Sequence, residues 1–315
     1  MADPAAPKRA RRGPALNAAL FVATAASVFL AGATSFAGDE PGGAIRYGLE
    51  FSAALLGILL CHEAGHYVAA RRRRIEVSLP YFIPLPIVSM FGTMGAFILM
   101  RGRIRSRDAL MEVGAAGPLA GMAVAVPLLF IGLAQCPVRP IPEEGFLEGQ
   151  SLLYLLAKRL VLGPIPDGYD VVINASPFAW AAWIGMLVTA LNLLPIGQLD
   201  GGHVLCALIG DAHARASRWL ARGLLALGAA VFIGLGLGAS NVGARGLDLL
   251  LAALPGAQWL VLGGLVMLLH RKRGFGHPPP DPEGRALSPG HRAAGYACAA
   301  VLVLTFMPIV MRAVP

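Results

Sequence analysis

The chain has 315 residues, 56% of them hydrophobic and only 14% charged, with a mean hydropathy of +0.65. That balance excludes an ordinary soluble domain and describes a polytopic membrane protein. The net charge of +8 does not call for nucleic acid, because the basic residues cluster at the ends of apolar runs, where they anchor orientation.

In chain order, residues 1–14 are a basic tail followed directly by an apolar run, which reads as a cytosolic tail and a retained first span rather than a cleaved signal peptide. Apolar runs at 15–38, 49–70, 109–134, 177–195, 217–239, 247–269 and 294–312 each approach the ~20 residues that cross a bilayer. They predict an all-α polytopic membrane protein of about seven transmembrane helices. Threaded that way, the basic clusters at 8–12, 71–74, 101–107, 215–222 and 271–273 share one side. The other side receives Asp39, Glu40, Glu143, Glu144, Glu148, Asp167 and Asp170. The excess of positive charge places the N-terminus in the cytosol and the C-terminus outside.

One apolar stretch resists the helix reading. Residues 78–100 carry Pro80, Pro84 and Pro86, then Gly92 and Gly95, among aromatic and β-branched residues. Proline breaks a helix, and extended backbone at membrane depth is tolerated only against protein or water. A small re-entrant β-hairpin near the active site is expected there, with a cytosolic apolar loop as the alternative. Residues 135–176 read as an outer loop with a short helix at 151–162, and 271–293 as a cytosolic Pro/Gly-rich linker. Cys61, Cys136, Cys206 and Cys298 form no CxxC pair and read as structural thiols.

The chemistry lies in two interruptions of the apolar pattern. His62-Glu63-Ala64-Gly65-His66 sits near the end of the second run. Ionisable side chains inside a span are expensive and functional by default. On a helix, residues i and i+4 share a face, so His62 and His66 can offer imidazole nitrogens to one zinc ion. Glu63 stands beside that face, where it can deprotonate an attacking water. A catalytic zinc site takes a third protein ligand and keeps one position open. Asp200 is the candidate third ligand: it follows Pro195 and Gly197 and precedes Gly201 and Gly202, which break the helix and let its carboxylate turn. The HEAGH helix runs from outside to inside. His66 then lies about 7 Å and His62 about 13 Å from its cytosolic end at 1.5 Å per residue. The run ending at Pro195 descends the same way, so both halves of the site reach one leaflet.

Asn192, also within a span, either hydrogen-bonds a substrate carbonyl or developing oxyanion or holds the broken helix together; both readings stay open. His203 could be a fourth ligand, but that would close the catalytic position, so a supporting role is preferred. Gly114, Gly117, Pro118 and Gly121 read as a close helix-packing face.

These residues resemble the site-2 protease family of intramembrane zinc metalloproteases. The likeness rests on the HEAGH motif, on Asn192, Pro195, Asp200 and Gly201, and on Gly117-Pro118-Leu119-Ala120-Gly121. Pro80 to Pro84, Phe91 to Gly95 and Ser106 to Leu110 resemble the branch without a PDZ domain, and the loop 135–176 is too short to hold one. The resemblance covers roughly 50–210. It implies zinc held by His62, His66 and Asp200, one ion per chain, with Glu63 as general base and the hairpin presenting substrate as an extended strand. On this expectation the chain divides into a tail (1–14), a first span (15–47), a catalytic membrane core (48–210), additional spans (211–270), a linker (271–293) and a last span (294–315). The expected activity is cleavage of transmembrane segments of single-span membrane proteins. The expected setting is a bacterial inner membrane, with the lipid bilayer and no nucleic acid as partner. Two rivals have different signatures. A metal-ion transporter would carry further acidic or histidine residues along its spans, and a catalytically silent binding protein would have lost Glu63 or a ligand. A membrane zincin of the soluble type would show a downstream glutamate ligand on a helix.

Overall fold

The computed structural model describes residues 14–36, 38, 40–86, 89–100, 104–142, 145–241, 243, 245–270 and 286–314. The expected tail before residue 14 and the linker as far as residue 285 lie outside the described residues. Helices dominate. The order is α1 (Pro14–Ser35), α2 (Gly43–Arg72), β1 (Tyr81–Pro84), β2 (Thr93–Phe97), α3 (Arg107–Leu133), β3 (Val138–Pro140), β4 (Gly145–Glu148), α4 (Leu152–Leu162), β5 (Tyr169–Val171), α5 (Pro177–Asn192), α6 (Asp200–Ile209), α7 (His213–Asn241), α8 (Leu247–His270), α9 (Pro289–Thr305) and β6 (Met311–Val314).

Among the described residues, five helical stretches are long and apolar enough to cross a membrane: α1, α2, α3, the run Asp200–Asn241 through α6 and α7, and α8. The runs expected at 177–195 and 294–312 fold as shorter helices, α5 with 16 residues and α9 with 17. Other boundaries move too. The helix that carries the HEAGH motif starts at Gly43, inside the segment assigned to the first span, and α9 starts at Pro289, inside the expected linker. The strands add a β component that the all-α expectation did not contain beyond its hairpin.

α2 and α3 pack backbone to backbone because each offers glycine where they cross. A Cβ at Gly65 would collide with the Ala116 carbonyl, and one at Gly117 would collide with the His66 ring. α5 fills the next side, with Ala179, Trp183, Ile184 and Met186 wholly buried. Ser106 caps α3 by accepting a hydrogen bond from the Ala109 N–H, and Ser176 does the same for α5 through Ala179.

The stretch rich in proline and glycine forms an antiparallel hairpin, with Tyr81 opposite Phe97, Phe82 opposite Ala96 and Pro84 opposite Thr93. Gly92 and Gly95 take positive φ angles of 74° and 98°, which favour glycine. α1 straps this hairpin in place. Asn17 donates to the carbonyls of Leu79 and Pro80 at 3.1 and 2.9 Å, and Ser27 Oγ donates to the Gly92 carbonyl at 2.6 Å.

The described residues of 134–142 and 145–176 fold as a small lobe around α4. β3 pairs with β5, and β4 pairs with the C-terminal strand β6. Tyr154 donates to Glu148 at 2.8 Å, and Lys158 pairs with Asp170 at 2.9 Å. Burial raises the Glu148 carboxyl above the ordinary carboxylate range. α7 and α8 form an antiparallel pair whose backbones approach at Gly228 and Gly256. Ser217 Oγ ties α7 to the Pro195 carbonyl at 3.2 Å, and Trp259 Nε1 ties α8 to the Pro308 carbonyl at 2.6 Å.

Candidate active site

The HEAGH motif occupies the middle of the second half of α2, with His62, Glu63 and His66 each 5% exposed or less. Their i, i+1, i+4 spacing sets both imidazoles on the face that meets α3 and the start of α6. Asp200 arrives from the other direction. α5 stops at Asn192, the Leu-Leu-Pro-Ile-Gly segment turns the chain, and α6 begins at Asp200. Gly201 and Gly202 allow that turn, since a Cβ on either would collide with the carbonyls of Leu193 or Gly197.

Three donor atoms converge. His62 Nε2 and His66 Nε2 lie 3.1 Å apart, and Asp200 Oδ2 lies 3.1 Å from the first and 3.2 Å from the second. His66 Nδ1 donates to the buried Val113 carbonyl at 2.7 Å, which places a proton on Nδ1 and, in the neutral ring that a metal requires, leaves the Nε2 lone pair facing a carboxylate oxygen. Electron pairs crowded in this way are reconciled by a cation. Zinc fits: at Zn–N and Zn–O lengths of ~2.0–2.1 Å, the edge between two tetrahedral ligands is about 3.3 Å. Among the described residues this trio is a group of metal-ligating side chains that could hold an ion.

Glu63 adds what a purely structural site would lack. Its Oε2 is buried and has no hydrogen-bond partner among the described residues. A buried carboxylate oxygen without a hydrogen-bond partner costs about 1–3 kcal/mol or more, so a water or substrate proton is the natural partner. The space for it exists. A cavity of about 350 Å³ is lined by His62, Glu63, His66 and Asp200, by Asn192, Gln198 and His203, and by residues 96–100 at the end of β2.

Asn192 Nδ2 is 3.5 Å from His62 Nε2, a contact at the limit of hydrogen bonding, so the amide points into the donor cluster. His203 borders the same cavity from α6 without joining the trio. Two contributions escaped the reading of the sequence. The Val113 carbonyl orients His66, and no side-chain pattern could announce a backbone acceptor. Gln198 lines the cavity from the turn before Asp200, where only its place within the motif marked it.

Residues 50–235 match the profile of Peptidase family M50. The match runs past the core expected to end at 210 and into α7. Probable zinc metalloprotease EGY2, chloroplastic, from Oryza sativa subsp. indica is 34% identical over 191 residues, covering 58% of this chain and 33% of the relative. Probable zinc metalloprotease EGY1, chloroplastic, from Arabidopsis thaliana is 32% identical over 169 residues, covering 51% of this chain and 30% of the relative. Probable zinc metallopeptidase EGY3, chloroplastic, from the same plant is 27% identical over 193 residues, covering 55% and 32%. The chain spans about a third of the length of the curated relatives it matches. Their names are plastid names, and nothing in them supports the bacterial inner membrane that was expected. With its apolar helices, its HEAGH helix and a profile match over more than half of its length, the chain belongs to Peptidase family M50, the family of the site-2 proteases.

Proposed function

We propose that the protein is an intramembrane zinc endopeptidase that cleaves transmembrane segments of single-span membrane proteins. The observation that carries the reading is the triangle of His62, His66 and Asp200 donor atoms beside the unpartnered Glu63 oxygen, in a cavity bordered by a strand. His62, His66 and Asp200 would hold one zinc ion per chain. Bound there, zinc supplies Lewis acidity to a scissile carbonyl and to water. Glu63 takes the proton from the attacking water and hands it to the leaving amine as the C–N bond breaks. With the His62 lone pair committed, the Asn192 N–H groups are free to donate to the substrate carbonyl as negative charge develops on its oxygen.

A helical substrate hides its carbonyls in its own hydrogen bonds, so the reacting segment must be extended first. β2 pairs with β1 on one edge, and its end lines the cavity, which supports presentation of substrate by strand addition. The hairpin would then be re-entrant, at the depth of the site. Seven crossings, with α5 and α9 as short members, would place the basic clusters and the site on the cytosolic side. The pairing of β4 with β6 supports this, because it keeps the C-terminal strand on the lobe assigned to the outside. Cysteine labelling from each side, on a background lacking the native cysteines, tests it: label reaching 271–293 from outside overturns the seven-span arrangement.

The decisive assay compares purified wild type with Glu63→Gln against a panel of single-span substrates. The variant keeps the shape and the zinc but lacks the base, so cleavage falls by ~10²–10⁴ or more. Near-normal cleavage by Glu63→Gln removes Glu63 as base. Absence of cleavage by wild type across the panel favours the transporter or silent-binder reading instead.

A further inference from the structure

A second cavity adjoins the first. Leu251, Leu254, Gln258 and Leu262 of α8 and Leu187 and Leu191 of α5 line a groove of about 660 Å³, with Phe91 of the hairpin, Phe146 of β4 and Met311 of β6 also on its walls. The α8 residues recur at helical spacing over eleven positions, about 17 Å at 1.5 Å per residue, which is three turns of one face, exposed at Leu251 and Leu254 and half-buried at Gln258 and Leu262. The groove carries no charged residue, and its two polar side chains are treated differently. The Trp259 N–H donates to the Pro308 carbonyl. Gln258 Nε2 is buried and has no hydrogen-bond partner among the described residues.

Several observations identify the occupant. Gln258 is the twelfth residue of the 24-residue α8, the middle of a span, where lipid ester and headgroup oxygens do not reach. An acyl chain therefore leaves the amide unsatisfied. A helix does not: a Ser, Thr or Asn side chain, or a carbonyl released at an unwound turn, accepts the N–H. The groove also leads to the chemistry. Leu191 is followed by Asn192, whose amide lies 3.5 Å from His62 Nε2, and Phe91 precedes the strand whose end lines the catalytic cavity. A helix lying along Leu187 and Leu191 is delivered beside the metal-ligating trio.

We propose that the groove between α5 and α8 docks the transmembrane helix of the substrate, and that the Gln258 amide selects helices carrying a hydrogen-bond acceptor at mid-span. This rests on the proteolytic reading above. The probes are two single-span Leu/Ala host helices that differ by one central residue, asparagine or leucine. The full-length Glu63→Gln protein in liposomes carries a photo-crosslinking amino acid at Leu254 or, as control, at Ile233, which is 58% exposed on α7. The asparagine helix should crosslink at Leu254 and not at Ile233, exceeding the leucine helix by roughly threefold to tenfold, the range of one interhelical hydrogen bond in lipid. Gln258→Leu should bring that ratio to about one. In the active enzyme, Leu254→Trp should fill the groove and raise KM about tenfold with zinc content unchanged, while Ile233→Trp leaves cleavage as it was. Adducts only to lipid or to a second copy of the chain, equal adducts at Ile233, or a preference that survives Gln258→Leu would overturn the proposal. Crosslinking needs no turnover. Wild type that cleaves nothing yet crosslinks at Leu254 sinks the proteolytic reading alone, and cleavage without crosslinking sinks the groove alone.

Discussion

α2 and α3 on one side, and α7 and α8 on the other, are both pairs of long apolar helices brought close by glycine, yet they do different work. In the first pair the glycines meet functional groups: Gly117 lies against the His66 ring, and Gly121 faces His62, where a Cβ would stand 3.3 Å from the His62 Cβ. In the second pair the glycines meet no ionisable group: a Cβ at Gly228 would run into Leu260 and the Gly256 carbonyl, and one at Gly256 into the Phe232 backbone and the Gly228 carbonyl. The apolar windows of α2 and α3 are 50% and 44% buried, whereas that of α8 is 28% buried. Small residues thus provide close approach in both places. The α2–α3 pair differs because its close approach encloses polar groups that must be satisfied, and further elements then cover them.

The comparison is broken most severely by removing the polar groups themselves. His62→Ala, His66→Ala and Asp200→Ala should each lose most of the one zinc ion per chain, read by metal analysis, along with all measurable cleavage. Full zinc retention in Asp200→Ala would strike it from the ligand set and bring in His203, which lies on the next turn of α6. Next in size is the hairpin. Single prolines along β2 (Thr93–Phe97) remove a backbone donor each, and at positions on the unpaired edge they should lower cleavage more than about tenfold while zinc stays bound. Alanine at the same positions should be milder. Normal cleavage by every proline variant would make the hairpin a lid.

Two glycines sharpen the contrast at smaller scale. Gly117→Val forces α3 away from the His66 ring, with an overpacking cost of ~1–3 kcal/mol. Zinc affinity should fall about 10–100-fold, as when a group that orients a ligand is lost. Gly223 on α7 has nothing within 4 Å of where a Cβ would stand. Gly223→Ala should therefore change stability by no more than about 0.5 kcal/mol and leave zinc binding as it was. Equal effects of the two substitutions would erase the distinction between the pairs.

The smallest effect lies away from both pairs, in the lobe. Burial raises the Glu148 carboxyl above its unfolded value, so the folded state holds the proton more tightly. Its contribution to stability is present below the ordinary carboxylate range and is lost as pH rises through the raised value. Melting curves from about pH 4 to about pH 8 should show this fall in wild type and a flatter profile in Glu148→Gln. Identical slopes would mean that Glu148 does not titrate differently on folding.

Much of the site was legible because membrane-depth polarity is rare and its spacing is informative. His62 and His66 declare a shared helical face with Glu63 beside it, and Pro195, Gly197, Gly201 and Gly202 declare a broken helix that frees Asp200. The hairpin was legible from Pro80, Pro84, Gly92 and Gly95, which no helix tolerates together. The lobe was less so: β3 and β5 are three residues each, and β4 finds its partner in β6 at the far end of the chain. Pairings that distant leave no periodic signal. Helix lengths blurred for a related reason: the 177–195 run stays largely apolar to its last turn, and α5 ends at Asn192, three residues before the Pro195 that marks the break.

Composition and motif spacing by themselves determined a membrane protein with an HEAGH helix and a second polar motif closing another apolar run, because the bilayer penalises every ionisable group that lacks a purpose. Only the tertiary structure decided that Asp200 Oδ2 comes within 3.2 Å of both histidines, that the Val113 carbonyl orients His66, and that Gln258 Nε2 at an apolar groove has no hydrogen-bond partner among the described residues. Those outcomes depend on where separate helices cross. Crossing points are set by the summed packing of distant residues, which no local spacing records.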